Sequence, residues 1–142
     1  MGASCWSHFV PYHPDIEGVL QAVREQVFQD QAYYLSETHQ AQGIIPASME
    51  ELIELNGEAG THSIIDMDGG LGATPEFAAV ALLTPEQLQR MFDTEYPDHA
   101  LVENRLESGE LYSFCRNWEG VCILVYTNNV PTEICFLGCS GD

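Results

Sequence analysis

Between residues 111 and 138 the chain carries three short runs, LYSFCR (111–116), VCILVYT (121–127) and EICFLG (133–138), rich in aromatic and β-branched side chains. Such side chains pack best on a pleated, half-buried surface, so the runs read as strands. Turn chemistry separates them: Asn117-Trp118-Glu119-Gly120 and Asn128-Asn129-Val130-Pro131. Connections this short join only antiparallel neighbours, because a parallel return needs a crossover of about a dozen residues. The expected C-terminal third is a three-stranded antiparallel meander.

Helices to cover that meander are legible upstream. Ile16, Val19, Leu20, Val23 and Val27 fall on one helical face within 15–30, with Pro14 suited to the first turn. Ser48-Met49-Glu50-Glu51 and Thr84-Pro85-Glu86-Gln87 match capping boxes, in which the first and fourth residues satisfy each other's free backbone N–H. The first opens a helix through Leu52, Ile53 and Leu55 that should end near Gly57 or Gly60. The second opens one through Leu88, Met91 and Phe92, ahead of Pro97. A short helix is also expected over 98–107. The polar stretch 31–47 reads as surface loop, and SHFVPY (7–12), THSIIDM (61–67) and FAAVALL (77–83) read as strands. At 142 residues there is material for one core. The expectation is a single α+β domain over 1–142, its meander packed against three or four helices.

Charge limits the partners. Twenty-two acidic residues face four basic ones, a formal net charge of −18, and all four are arginines: Arg24, Arg90, Arg105 and Arg116. So negative a surface repels phosphate backbones and anionic lipid, which argues against nucleic acid or a membrane surface and favours basic proteins. No apolar run approaches the roughly 20 residues of a membrane span. No basic segment precedes an apolar one at the start of the sequence, so a cytoplasmic location is expected. There the five cysteines, Cys5, Cys115, Cys122, Cys135 and Cys139, are expected as free thiols.

The most enzyme-like words in the chain are Ser63-Ile64-Ile65-Asp66-Met67-Asp68-Gly69. They resemble the first motif of the haloacid dehalogenase superfamily, an apolar strand running into D-x-D-G-T. The resemblance implies a doubly wound parallel fold, Asp66 as a nucleophile that takes up phosphoryl, Asp68 as the acid–base, and a magnesium ion beside both. It covers about a dozen residues. Gly70 replaces the motif threonine, no lysine exists to hold phosphate, and the expected meander leaves too little chain for the parallel sheet. As a calcium loop the segment places Leu71 where glycine is required and Phe77 where glutamate is. Turn chemistry, with Asp side chains accepting backbone N–H bonds, accounts for every residue.

Other constellations are thinner. Cys5, His8 and His13 converge on a metal only if the strand bends at Pro11, so no metal site or cofactor is expected, magnesium entering only with the Asp66/Asp68 pair. His99 and Glu103 share a solvated helix face. Trp118, a large aromatic in a polar turn, either folds back on the sheet or serves as a contact anchor for a partner. The leading expectation is a non-enzymatic binding protein, such as an immunity-type antagonist of a basic protein. The alternative is a small divalent-metal-dependent phosphatase or hydrolase using Asp66 and Asp68.

Overall fold

In the computed structural model, which describes residues 4–141, the chain is α+β: one mixed five-stranded sheet with five helices. The strands are β1 (Ser4–Pro11), β2 (Gly70–Gly72), β3 (Ala79–Leu82), β4 (Glu119–Thr127) and β5 (Val130–Ser140), in the order β1-β5-β4-β3-β2. β5 is antiparallel to both β1 and β4, while β2, β3 and β4 run parallel. The helices are α1 (Ile16–Gln29), α2 (Glu37–Ala41), α3 (Met49–Asn56), α4 (Pro85–Phe92) and α5 (His99–Glu107).

Helices cover both faces, and β4 and β5 show why their sequences are almost continuously apolar. Cys122, Ile134 and Phe136 join one core with Leu20, Val23 and Val27 of α1 and Leu52 of α3. Val121, Ile123, Val125, Cys135 and Leu137 join the other with Leu88 and Phe92 of α4 and Val102 of α5. Alternate side chains therefore go to opposite cores, and neither face faces water.

The meander is corrected. β4 and β5 form the expected hairpin through Asn128 and Asn129, both in left-handed backbone (φ 52° and 63°), but LYSFCR is no strand. Residues Glu110–Phe114 wind into a 3₁₀ turn that drops Leu111 into the second core. A short apolar run fits either period, and here a turn places Leu111 and Phe114 on one side. The third partner in the hairpin's sheet is instead the N-terminal β1.

THSIIDM is likewise not a strand. Ile64–Asp66 form a 3₁₀ turn capped by the Ser63 hydroxyl, which accepts from the Ile65 amide at 3.2 Å. The strand begins after it, at Gly70. The loop expected over 31–47 is interrupted by α2, whose Ser36 side chain caps the His39 amide. Only the Thr84 capping box closes reciprocally. Ser48 caps Glu51, but the Glu51 carboxylate reaches back to the Ala47 amide at 3.2 Å.

The cysteines depart from expectation too. Cys5 and Cys139 are directly opposite in the β1–β5 register and form a disulfide, while Cys115, Cys122 and Cys135 are free. A pair 134 positions apart becomes neighbours only through the sheet's closing register, which spacing cannot reveal. No helix of the described residues is long and apolar enough to cross a membrane.

Candidate functional site

Three successive strands begin at one place. Asp66 and Asp68 lie just before β2, Phe77 and Ala78 just before β3, and Trp118 just before β4. Because β2, β3 and β4 are parallel neighbours, these residues gather along the N-terminal end of that half of the sheet. The end of α3 and the turn after it supply Ile53, Gly57, Glu58 and Gly60, closing a cleft of about 470 Å³.

Backbone hydrogen bonds hold the rim. The Gly69 amide donates to the Ala78 carbonyl at 2.8 Å, the Ala78 amide to the Trp118 carbonyl at 2.7 Å, and the Trp118 amide to the Cys139 carbonyl at 2.7 Å. Ala78 and Trp118 are thereby held in left-handed backbone, at φ 59° and 73°. Side-chain-bearing residues adopt that conformation at a cost of about 1–2 kcal/mol each and keep it only where the surroundings over-determine it. Gly57 and Gly60, which also line the cleft, have positive φ at no such cost.

One wall is aromatic. The Trp118 ring stacks on Phe77, centroids 5.3 Å apart and planes 24° from parallel, and Phe77 is 71% exposed. Trp118 is half-buried, and both rings line the cleft.

The floor is acidic. Asp66 is only 4% exposed. Its Oδ1 accepts from the Thr61 amide at 2.7 Å, and its Oδ2 is buried without any hydrogen-bond partner. A buried carboxylate oxygen left unpaired is costly, on the order of 1–3 kcal/mol or more. Asp68 is exposed and also lines the cleft, with Glu58 beside it. No arginine or histidine lines it.

A buried cation lies beyond Asp68. A second cavity of about 480 Å³ shares Ile53 and Asp68 with the first and contains Arg24, Met49, Glu50 and Glu54. Arg24 is buried and donates to the Ile65 carbonyl at 2.6 Å and to Gln21 Oε1 at 2.7 Å. Burial lowers its pKa, against which Asp68, then Glu50, Asp66 and Glu17, act in the opposite sense. It anchors the Asp66 turn from behind, outside the cleft.

The structure thus brings Asp66, Asp68 and Trp118 to one site, although the sequence offered the Asp66/Asp68 pair and Trp118 separately. Phe77 was missed; its signal was an aromatic side chain at the end of the Thr74-Pro75-Glu76 loop. The phosphotransfer geometry differs from what the resemblance implies, because Asp66 and Asp68 precede a strand instead of ending one, and the sheet is mixed. Cys5 is tied up in the disulfide, and no group of three or more metal-ligating side chains occurs among the described residues. The chain matches no known protein family, and no curated protein or solved structure is significantly similar to it. Fold and site define a class, an α+β domain with an acidic, aromatic-walled cleft at the N-terminal ends of its parallel strands.

Proposed function

We propose that the chain is a non-enzymatic binding protein whose partner is a basic protein, docked over the Phe77–Trp118 mouth of the cleft. One observation carries the reading: every titratable side chain lining the cleft is acidic, Glu58, Asp66 and Asp68, and beside them the exposed Phe77 stacks on a half-buried Trp118. Aromatic side chains at the centre of an interface supply most of its energy, and a surrounding field of one sign speeds encounter with a partner of the other. With a net charge of −18 the whole surface contributes to that steering. An immunity-type antagonist of a basic nuclease is one form such a protein takes.

Affinity capture from native extract, at low and high salt, tests this. The expected result is a basic partner whose association rate falls steeply with salt, and whose capture weakens at least about tenfold with Phe77→Ala, as for an interface anchor. No basic partner at either salt concentration overturns the reading.

A second reading rests on Asp66 and Asp68 lining the same cleft, where a divalent ion would make them a metal-dependent hydrolase. Against it, Arg90 and Arg105 line a separate cavity and none of the arginines lines this one to hold a phosphate. A magnesium-supplemented phosphatase screen decides it. Activity must appear in the wild type and vanish in Asp66→Asn for the hydrolase to stand.

A further inference from the structure

We infer that the cleft is a receptor for a single arginine side chain of the partner, with Trp118 moving aside to uncover Asp66. The inference rests on the binding reading above and names the chemistry of its contact.

Asp66 Oδ2 is the starting point. It has neither a hydrogen-bond partner nor solvent-exposed surface, yet its residue lines the cleft. Trp118 and Gly60 crowd the same spot. A Cβ built on Gly60 would lie 2.5 Å from Trp118 Cη2 and 3.1 Å from Asp66 Oδ2, so the indole edge and the unpaired oxygen converge on the same point. A positively charged donor makes the strongest hydrogen bond a carboxylate oxygen accepts, and among the described residues no cation lines the cleft.

The walls choose among cations. A guanidinium is planar, stacks on aromatic rings, and carries five N–H donors in a fork that reaches carboxylates on more than one side. Here the fork meets Asp66 below and the exposed Asp68 at the side, with the exposed Phe77 ring and the displaced indole as flat surfaces to stack on. An ammonium satisfies the charge but neither stacks nor bridges the two carboxylates as well. Trp118 can move because its packing partner Phe77 is itself exposed, whereas its backbone is fixed by bonds to Cys139 and Ala78. The side chain swings on an anchored main chain.

The test uses the whole protein and three blocked tripeptides, Gly-Arg-Gly, Gly-Lys-Gly and Gly-citrulline-Gly, at physiological salt. Indole N–H resonances report separately on Trp118 and on Trp6, whose Nε1 donates to Ser140 in the core. The arginine peptide should shift the Trp118 signal saturably and leave Trp6 unmoved. The lysine peptide should bind about fivefold more weakly for want of stacking, and the uncharged citrulline peptide should not saturate. Asp66→Asn keeps an oxygen for the Thr61 amide while removing the charge, and should weaken the arginine peptide at least about tenfold. Should that variant lose its native Trp6 resonance, Asp68→Asn, on an exposed side chain, serves in its place with a smaller loss.

Equal responses to all three peptides, or an arginine affinity untouched by either substitution, overturn the arginine receptor. A basic partner that binds undiminished to Asp68→Asn and Phe77→Ala also overturns it, while the broader binding role survives. Saturable arginine binding with no basic partner recovered does the reverse.

Discussion

Gly60 and Trp118 fit together through a missing side chain: a Cβ on Gly60 would stand 2.5 Å from the Trp118 Cη2. The same glycine sits at φ 70° and ψ −178°, a backbone region that is almost exclusively glycine's. Both facts bear on Gly60→Ala, in which the new methyl meets the indole and the backbone is strained. The expected cost is about 3 kcal/mol, read from chemical denaturation, with a displaced Trp118 indole resonance. An unmoved Trp118 resonance would mean the indole is not seated against Gly60, and a stability change under about 0.5 kcal/mol would mean the backbone strain is absent.

Arg24 should matter more through the groups it serves than through its own charge. Arg24→Met preserves much of the apolar stem but leaves the buried Ile65 carbonyl without its donor. It also removes the cation facing Asp68, Glu50, Asp66 and Glu17. A loss of about 2–4 kcal/mol is expected in chemical denaturation at neutral pH. A loss under about 0.5 kcal/mol would mean that the Ile65 carbonyl does not depend on the Arg24 donor.

The cysteines can be counted by reagent. Burial pushes the thiols of Cys115, Cys122 and Cys135 up to about 12, so at pH 8 about one in ten thousand of each is thiolate. The native protein should therefore be nearly inert to iodoacetamide over minutes. Unfolding without reductant should expose three thiols, and unfolding with reductant five. Five thiols without reductant would contradict the Cys5–Cys139 bond. Reducing it should cost about 2–4 kcal/mol of stability.

His99 gives the fold a pH-dependent contact. Its Nδ1 lies 3.0 Å from Glu133 Oε1 and its Nε2 3.2 Å from Glu103 Oε2, so a protonated ring donates to both. The Glu133 hydrogen bond is the main reason its pKa rises, with Glu103 assisting and slight burial opposing. A histidine raised above its unfolded value stabilises fully below about pH 6.5, and the contribution disappears as pH rises through the folded pKa. Subtracting the stability of His99→Gln from wild type should leave a difference that is largest near pH 5.5 and gone by about pH 9. A flat difference would place His99 outside the titrating set. His8, whose pKa burial lowers, is present in both proteins and cancels.

What the sequence disclosed divides along physical lines. α1 and α4 were legible because periodicity and caps are local, and the β4–β5 hairpin because Asn128-Asn129 sits between apolar runs. The parallel strands were harder. β2 is Gly-Leu-Gly, three residues without β-propensity, held in place by pairing with β3 and by the Glu17 carboxylate, which accepts from the Leu71 amide at 3.2 Å. LYSFCR misled because burial, which it needed, comes as readily from a 3₁₀ turn packed on the core. The site was legible only as fragments. Asp66 and Trp118 were visible as unusual residues, but their meeting depends on β2 and β4 starting level with each other, a property of the sheet and of neither segment.

The Cys5–Cys139 bond closes a ring over a separation of 134 positions, nearly the entire polypeptide. A protease that cuts once inside that ring, for instance in the exposed run 40–43, sets no fragment free. The nicked molecule would run as an intact chain on a non-reducing gel and as two pieces on a reducing one. Its two halves would remain at each other's high local concentration, ready to re-form the shared sheet.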